Sequence, residues 1–203
     1  MDCGGVLCDA CPTCSDGIQN GDETGVDCGG SCPPCDPGGC TPGSETFSFE
    51  TGLEGWTDGG SDCARVSTST RSWDGQYSIR IRDNSGTASS TTSPAYDLSQ
   101  YSSAEIEFYF YPNSMENGED FWVRFNNGSG WTTVASYASG TSFNNNSFYV
   151  ATVTIPASSL SSNSQFRVQC DASSNADRIY IDLVTIRGNC SALPETGLII
   201  LIL

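Results

Sequence analysis

The chain has 203 residues, with 24 acidic against eight basic side chains and a formal charge of −16. All eight bases are arginine, and neither lysine nor histidine occurs. That balance argues against a nucleic-acid partner, because nothing neutralises a row of phosphates. It also argues against docking on an anionic membrane surface, and it removes the commonest general base and transition-metal ligand near neutral pH.

The first 40 residues hold eight of the eleven cysteines. Such density in a short segment predicts disulfides formed in an oxidising compartment. No signal peptide precedes them, since Met1 is followed directly by Asp2 and Cys3. A repeat accounts for the conflict. "MDCGGVLCDAC" and "VDCGGSCPPC" align, so Cys3, Cys8 and Cys11 correspond to Cys28, Cys32 and Cys35, and Met1 stands where Val26 stands in the second copy. The chain is therefore read as a piece of a longer secreted protein, with residues 1–13 the end of a repeat and 14–40 a complete repeat plus linker. Cys11–Cys14 and Cys32–Cys35 also have zinc-ribbon spacing. The first of these pairs straddles a repeat boundary, however, and Cys28 would be left over, so disulfides among Cys14, Cys28, Cys32 and Cys35 are the expectation, in one of three connectivities.

Within this repeat Asp16, Asn20, Asp22, Glu23 and Asp27 alternate with Gly17, Gly21 and Gly25. Interleaved oxygen donors and glycines suit a calcium loop, because a hard cation wants six to eight oxygens and glycine permits tight winding. The alternative is a solvated turn series, Asn-Gly and Asp-Gly being strong turn dipeptides. "CSDGIQNGDETGVDCGGSCPPC" resembles a cysteine-rich repeat of large secreted or surface bacterial proteins. The resemblance implies an extracellular spacer and no activity of its own.

Past Pro37-Gly38-Gly39 and Pro42-Gly43 the composition turns to Ser, Thr, Asn, Phe and Tyr, and period-two runs recur. "YSIRIRD", "AEIEFYFYP", "DFWVRFN", "FYVATVTIP", "QFRVQCD" and "DRIYIDLVTIR" each set an apolar phase against a polar one. Roughly eight to ten strands over residues 46–190 predict an all-β jelly-roll sandwich. Its expected core is Phe47, Phe49, Trp56, Ile79, Ile81, Ile106, Phe108, Phe110, Phe121, Val123, Phe125, Val153, Phe166, Val168, Ile179 and Ile181. The ends of a jelly roll lie side by side, which pairs Cys40 with Cys190. Cys63 and Cys170 are left as a second disulfide, with free buried thiols as the alternative.

"FSFETGLEGWT" (47–57) and "RIYIDLVTIRGNC" (178–190) resemble the opening and closing motifs of MAM-type domains and related jelly-roll carbohydrate-binding modules. The resemblance implies a structural calcium shared by Glu50 and Asp182, although Leu183 replaces the second acid of the family's pair.

The polar phase of the strands carries Arg80, Glu107, Tyr109, Tyr111, Trp122, Arg124, Arg167 and Gln169. Aromatic rings stack on sugar faces, and Arg, Glu and Gln make directional bonds to hydroxyls. On neighbouring strands they would form a glycan platform; alternatively the rings only shield the sheet through cross-strand pairs. Trp73 and Trp131 lie near turns and suit a loop-edge site. Glu105 and Glu107, about 6–7 Å apart on one strand face, have a spacing that glycosidases use, but without histidine, lysine or a serine nucleophile motif a non-catalytic module is the expectation. The tail 191–203 contains Leu193-Pro194-Glu195-Thr196-Gly197, which resembles a cell-wall sorting signal, followed by an apolar run too short to span a bilayer. The reading is a secreted or surface binding or adhesion segment, one that holds a parent protein to a polysaccharide and has calcium as its only cofactor. The alternatives are a calcium-stabilised spacer and, further off, a glycoside hydrolase.

Overall fold

The period-two runs become the long strands of two antiparallel sheets. In chain order the strands are β1 Gly43–Phe47, β2 Thr57–Asp58, β3 Cys63–Ser67, β4 Tyr77–Arg82, β5 Ser90–Thr92, β6 Ser103–Asn113, β7 Asp120–Asn126, β8 Trp131–Ala138, β9 Tyr149–Pro156, β10 Gln165–Asp171 and β11 Arg178–Asn189. The protein is represented by a computed structural model, which describes residues 19, 21–23, 30–32 and 40–190. The chain divides into two units, Met1–Thr41 with Cys190–Leu203, and Pro42–Asn189. Among the described residues no helix is long and apolar enough to cross a membrane.

The first sheet has the order β3-β4-β11-β6-β9, with β1 also paired to β11, and the second has the order β2-β5-β10-β7-β8. β6 and β7 show strict alternation of buried and half-buried positions, as expected of strands with one face on a core. Every core position expected from the sequence is buried between the sheets. Phe47 and Phe49 meet Trp56 edge-on, with ring centroids 5.7 and 6.1 Å away, so the opening motif is a packing unit. Phe110 lies at the centre of an aromatic cluster with Phe121, Tyr137, Phe143 and Tyr149.

The alternation of β11 breaks at one point. Asp182 pairs with Tyr109 but Thr185 pairs with Glu107, so three steps on β11 match two on β6. Leu183 takes a φ of 45° at this bulge. The core phase therefore switches from Ile179 and Ile181 to Val184 and Ile186, all buried, and Asp182 is aimed at the outer face. A bulge has this effect because one unpaired residue shifts the side-chain phase by one.

Cys40 and Cys190 form the expected disulfide, with Cα atoms 5.8 Å apart. The expected Cys63–Cys170 bridge is not formed, and both residues are buried free thiols. They stand on β3 and β10, in opposing sheets, and both are part of the core between them. Burial pushes the Cys63 thiol up to about 12 and the Cys170 thiol up as well, which makes both weak nucleophiles in the folded state. In the N-terminal unit Cys32 is disulfide-bonded, which removes it from the zinc alternative. Asp22 accepts a bond from the Ser31 hydroxyl at 2.9 Å, and Gln19 donates to the Glu23 carbonyl. The cysteine and calcium expectations at Cys14, Cys28, Cys35, Asp16, Asn20 and Asp27, and the tail motif, lie outside the described residues.

Candidate functional site

The structure divides the eight residues expected to form one platform between two opposite faces. Arg80 on β4 and Glu107, Tyr109 and Tyr111 on β6 belong to the first sheet. Trp122 and Arg124 on β7 and Arg167 and Gln169 on β10 belong to the second. Sequence phase assigns a side chain to the outside of its own sheet, but it does not say which outside.

On the second sheet the four come together. Trp122 lies opposite Gln169, and Arg124 opposite Arg167, in the β7–β10 register. The Trp122 indole N–H donates to Asp120 at 2.8 Å, and the Ser136 hydroxyl from β8 donates to the same oxygen at 2.6 Å. Arg124 donates to the Gln169 side-chain oxygen at 3.1 Å. The Arg167 guanidinium lies 4.0 Å from the centroid of the Trp131 ring and donates to the Thr92 hydroxyl at 3.0 Å. Two arginines directly opposite on adjacent strands repel each other, and burial together with the Arg124 charge lowers the Arg167 pKa. The buried Arg124 Nε has no partner. Among the described residues neither arginine has a carboxylate within ion-pair distance. The result is a fixed strip of two indoles and two half-buried guanidiniums with donor capacity to spare, suited to an acceptor-rich, flat ligand.

On the first sheet the candidate residues are engaged with one another. Tyr109 is stacked beneath Trp73, centroid to centroid 4.0 Å and nearly parallel, and Tyr111 meets Phe148 and Tyr180 edge-on. The proposed glycosidase pair is likewise occupied. Arg187 donates to Glu105 at 2.8 Å and to Glu107 at 3.1 Å, so one guanidinium bridges both carboxylates in place of a free acid and base flanking a substrate.

Glu50 and Asp182 both hold the loop before β4. Asp182 Oδ2 accepts the N–H groups of Trp73 and Asp74 at 2.7 and 2.8 Å, and its Oδ1 accepts that of Leu183 at 2.8 Å. Glu50 Oε1 accepts the N–H groups of Gln76 and Tyr77 at 2.8 and 2.7 Å. Gly75 between them has φ +63°, and a Cβ there would lie 2.4 Å from the Glu50 carboxyl carbon, so only glycine fits. Burial pushes the Asp182 carboxyl up to about 6, against the pull of its three N–H donors and with Asp74 adding to the rise. A folded-state value above the unfolded one means stability that is full below the unfolded value and lost as pH rises through about 6. The wild type is therefore expected to gain about 1–1.5 kcal/mol relative to Asp182→Asn on going from pH 7.5 to 5, read as the difference between their urea midpoints. No difference, or the opposite sign, contradicts the burial argument.

One further acidic cluster was not apparent in the sequence. Carboxylate oxygens of Glu116, Glu119 and Asp177 lie within 4.8 Å of one another. Glu116 and Glu119 stand three apart in the loop before β7, and Asp177 comes from the turn before β11, so only the tertiary structure adds the third acid.

No family model and no curated protein sequence matches the chain. Solved structures do. The K2 cleaved adhesin domain of Lys-gingipain superposes with a TM-score of 0.51 at 15% identity, covering 71% of this chain and 99% of that one. The CBM22-1 xylan-binding domain of Paenibacillus barcinonensis Xyn10C gives 0.50 at 14%, covering 73% and 95%. The CBM22-1–GH10 modules of Clostridium thermocellum Xyn10B, complexed with xylohexaose, give 0.53 at 13%, covering 71% of this chain but 28% of that one. Residues 42–189 thus have the jelly-roll fold found in carbohydrate-binding modules and adhesin domains. At these identities the likeness concerns the fold.

Proposed function

We propose that residues 42–189 form a non-catalytic carbohydrate-binding module of a larger secreted or surface protein, and that a polysaccharide lies across the outer face of the second sheet. The observation that carries this reading is the convergence of Trp122, Trp131, Arg124, Arg167 and Gln169 on adjacent strands with hydrogen-bond donors unused. The indoles receive sugar rings and the guanidiniums donate to hydroxyls. The fold shared with xylan-binding modules supports the same class of ligand, and the Cys40–Cys190 disulfide supports an oxidising, extracellular setting. Affinity gels over a panel of xylans, galactans and glucans test it. At least one polymer is expected to retard the wild type, and Trp122→Ala is expected to weaken that binding about tenfold or more. Unchanged mobility across the panel would sink the proposal.

A structural calcium ion is a second reading, favoured by the convergence of Glu50 and Asp182 on one loop. Their carboxylates are the family-type donors, and an ion there would share oxygens that five backbone N–H groups now occupy. Calcium binding predicts a rise in melting temperature of several degrees on adding the ion and its reversal by EDTA. An unchanged melting temperature assigns the two carboxylates to the loop amides alone.

A further inference from the structure

The outer face of the first sheet carries an arrangement that neither the second-sheet strip nor the loop clamp uses. Trp73 is 48% exposed, although its backbone N–H is tied to Asp182 and its inner ring face is stacked on Tyr109. Phe148 supports the indole edge-on at 5.3 Å. The outer face of the indole is thus rigidly presented to solvent. Its inner face covers Tyr109, and its outer face makes no ring contact among the described residues.

On the same outer face, across Tyr111 and Tyr180 from this ring, four arginines gather. Arg80 lies opposite Tyr180 on β4–β11, and Arg178 opposite Arg82. Arg71 donates to the Tyr180 hydroxyl at 2.9 Å. Of these four arginines only Arg82 has a carboxylate partner among the described residues, Asp62 at 3.2 Å. The buried Arg80 Nε has no hydrogen-bond partner, and burial and the neighbouring Arg82 and Arg178 charges depress its pKa. In a chain of charge −16 with eight arginines, clustering four arginines around a single paired carboxylate is costly, and a bound anion offsets that cost.

We propose that this face is a second glycan surface, specific for a polysaccharide that carries uronic-acid carboxylates at intervals. A sugar ring stacks on Trp73, and Arg80 and Arg178 take a neighbouring carboxylate, which the guanidinium fork matches in plane. The net charge of the protein selects sparse carboxylates over a densely sulfated chain. Repulsion from the whole molecule acts over a Debye length of about 8–10 Å and grows with the polymer's charge density, whereas the arginine contacts are local.

The test is titration calorimetry at low salt with pectin whose galacturonate is half methyl-esterified, with fully esterified pectin, and with dextran sulfate. The wild type is expected to bind the half-esterified polymer at least about tenfold more tightly than the fully esterified one. Arg80→Gln with Arg178→Gln abolishes that preference, and Trp73→Ala weakens binding of the charged polymer about tenfold. Each variant's melting curve checks that it is folded. Equal binding of the two pectins, a preference that survives the double variant, or tighter binding of dextran sulfate overturns the proposal. Trp122→Ala separates this surface from the second-sheet strip. If that variant loses the uronate preference while the double arginine variant keeps it, the ligand lies on the opposite sheet and the inference fails, although the carbohydrate-binding reading stands.

Discussion

Phe110→Ala is expected to cost the domain about 3–5 kcal/mol and to lower its melting temperature by roughly 10–15 °C. Phe110 is 1% exposed and contacts rings from both sheets and from the β8–β9 loop. Phe121 on β7 lies 4.9 Å away, Tyr149 on β9 5.4 Å, Phe143 5.7 Å and Tyr137 on β8 5.8 Å. Three of these partners are fixed on three different strands in two sheets, so they cannot collapse into the vacated volume without moving a strand. The cost should therefore include the full cavity term in addition to the lost transfer free energy. Phe110→Leu keeps most of the volume and is expected to cost about 1–1.5 kcal/mol. Urea unfolding of both variants decides the matter. A loss below about 1 kcal/mol for alanine would mean that the cluster is not the mechanical centre of the sandwich.

Replacing Cys40 and Cys190 together by serine is expected to cost about 3–5 kcal/mol. The bridge closes a sequence separation of 150 residues, and in the chain-entropy picture the penalty on the unfolded state grows with the logarithm of that length. The two cysteines flank strands that are already paired, since Gly43 meets Gly188 in the β1–β11 register. Native strain is therefore not expected to cancel the gain. The double variant is the right test because a reducing agent would also attack the Cys32 disulfide. Equal urea midpoints for variant and wild type would show that β1–β11 pairing alone holds the ends.

How far the sequence reaches depends on whether a feature is local. Ile79, Ile81, Phe121, Val123 and Phe125 announce their strands and their burial through period-two alternation, and all are in the core. Leu98, Met115 and Phe143 are in the same core yet sit in loops, where no periodicity marks them. They are buried because the fold lays those loops across the sandwich. The bulge at Leu183 is equally silent in "DRIYIDLVTIR", and it moves Val184 and Ile186 out of the polar phase that strict alternation would give them and into the core.

The binding residues show the same division. Residue types and strand phase placed Trp122, Arg124, Arg167, Gln169, Arg80, Tyr109 and Tyr111 on outward faces from the sequence alone, because alternation is a property of the single strand. Only the tertiary structure separated them into two surfaces, since strand order is set by pairing between segments as distant as β4 and β11. It also brought Trp73 down on Tyr109, gave Glu105 and Glu107 a shared arginine, and kept Cys63 apart from Cys170. Each of these is a contact between residues far apart in the chain, decided by which strands neighbour one another, and that choice rests on burying the whole core at once rather than on any local pattern.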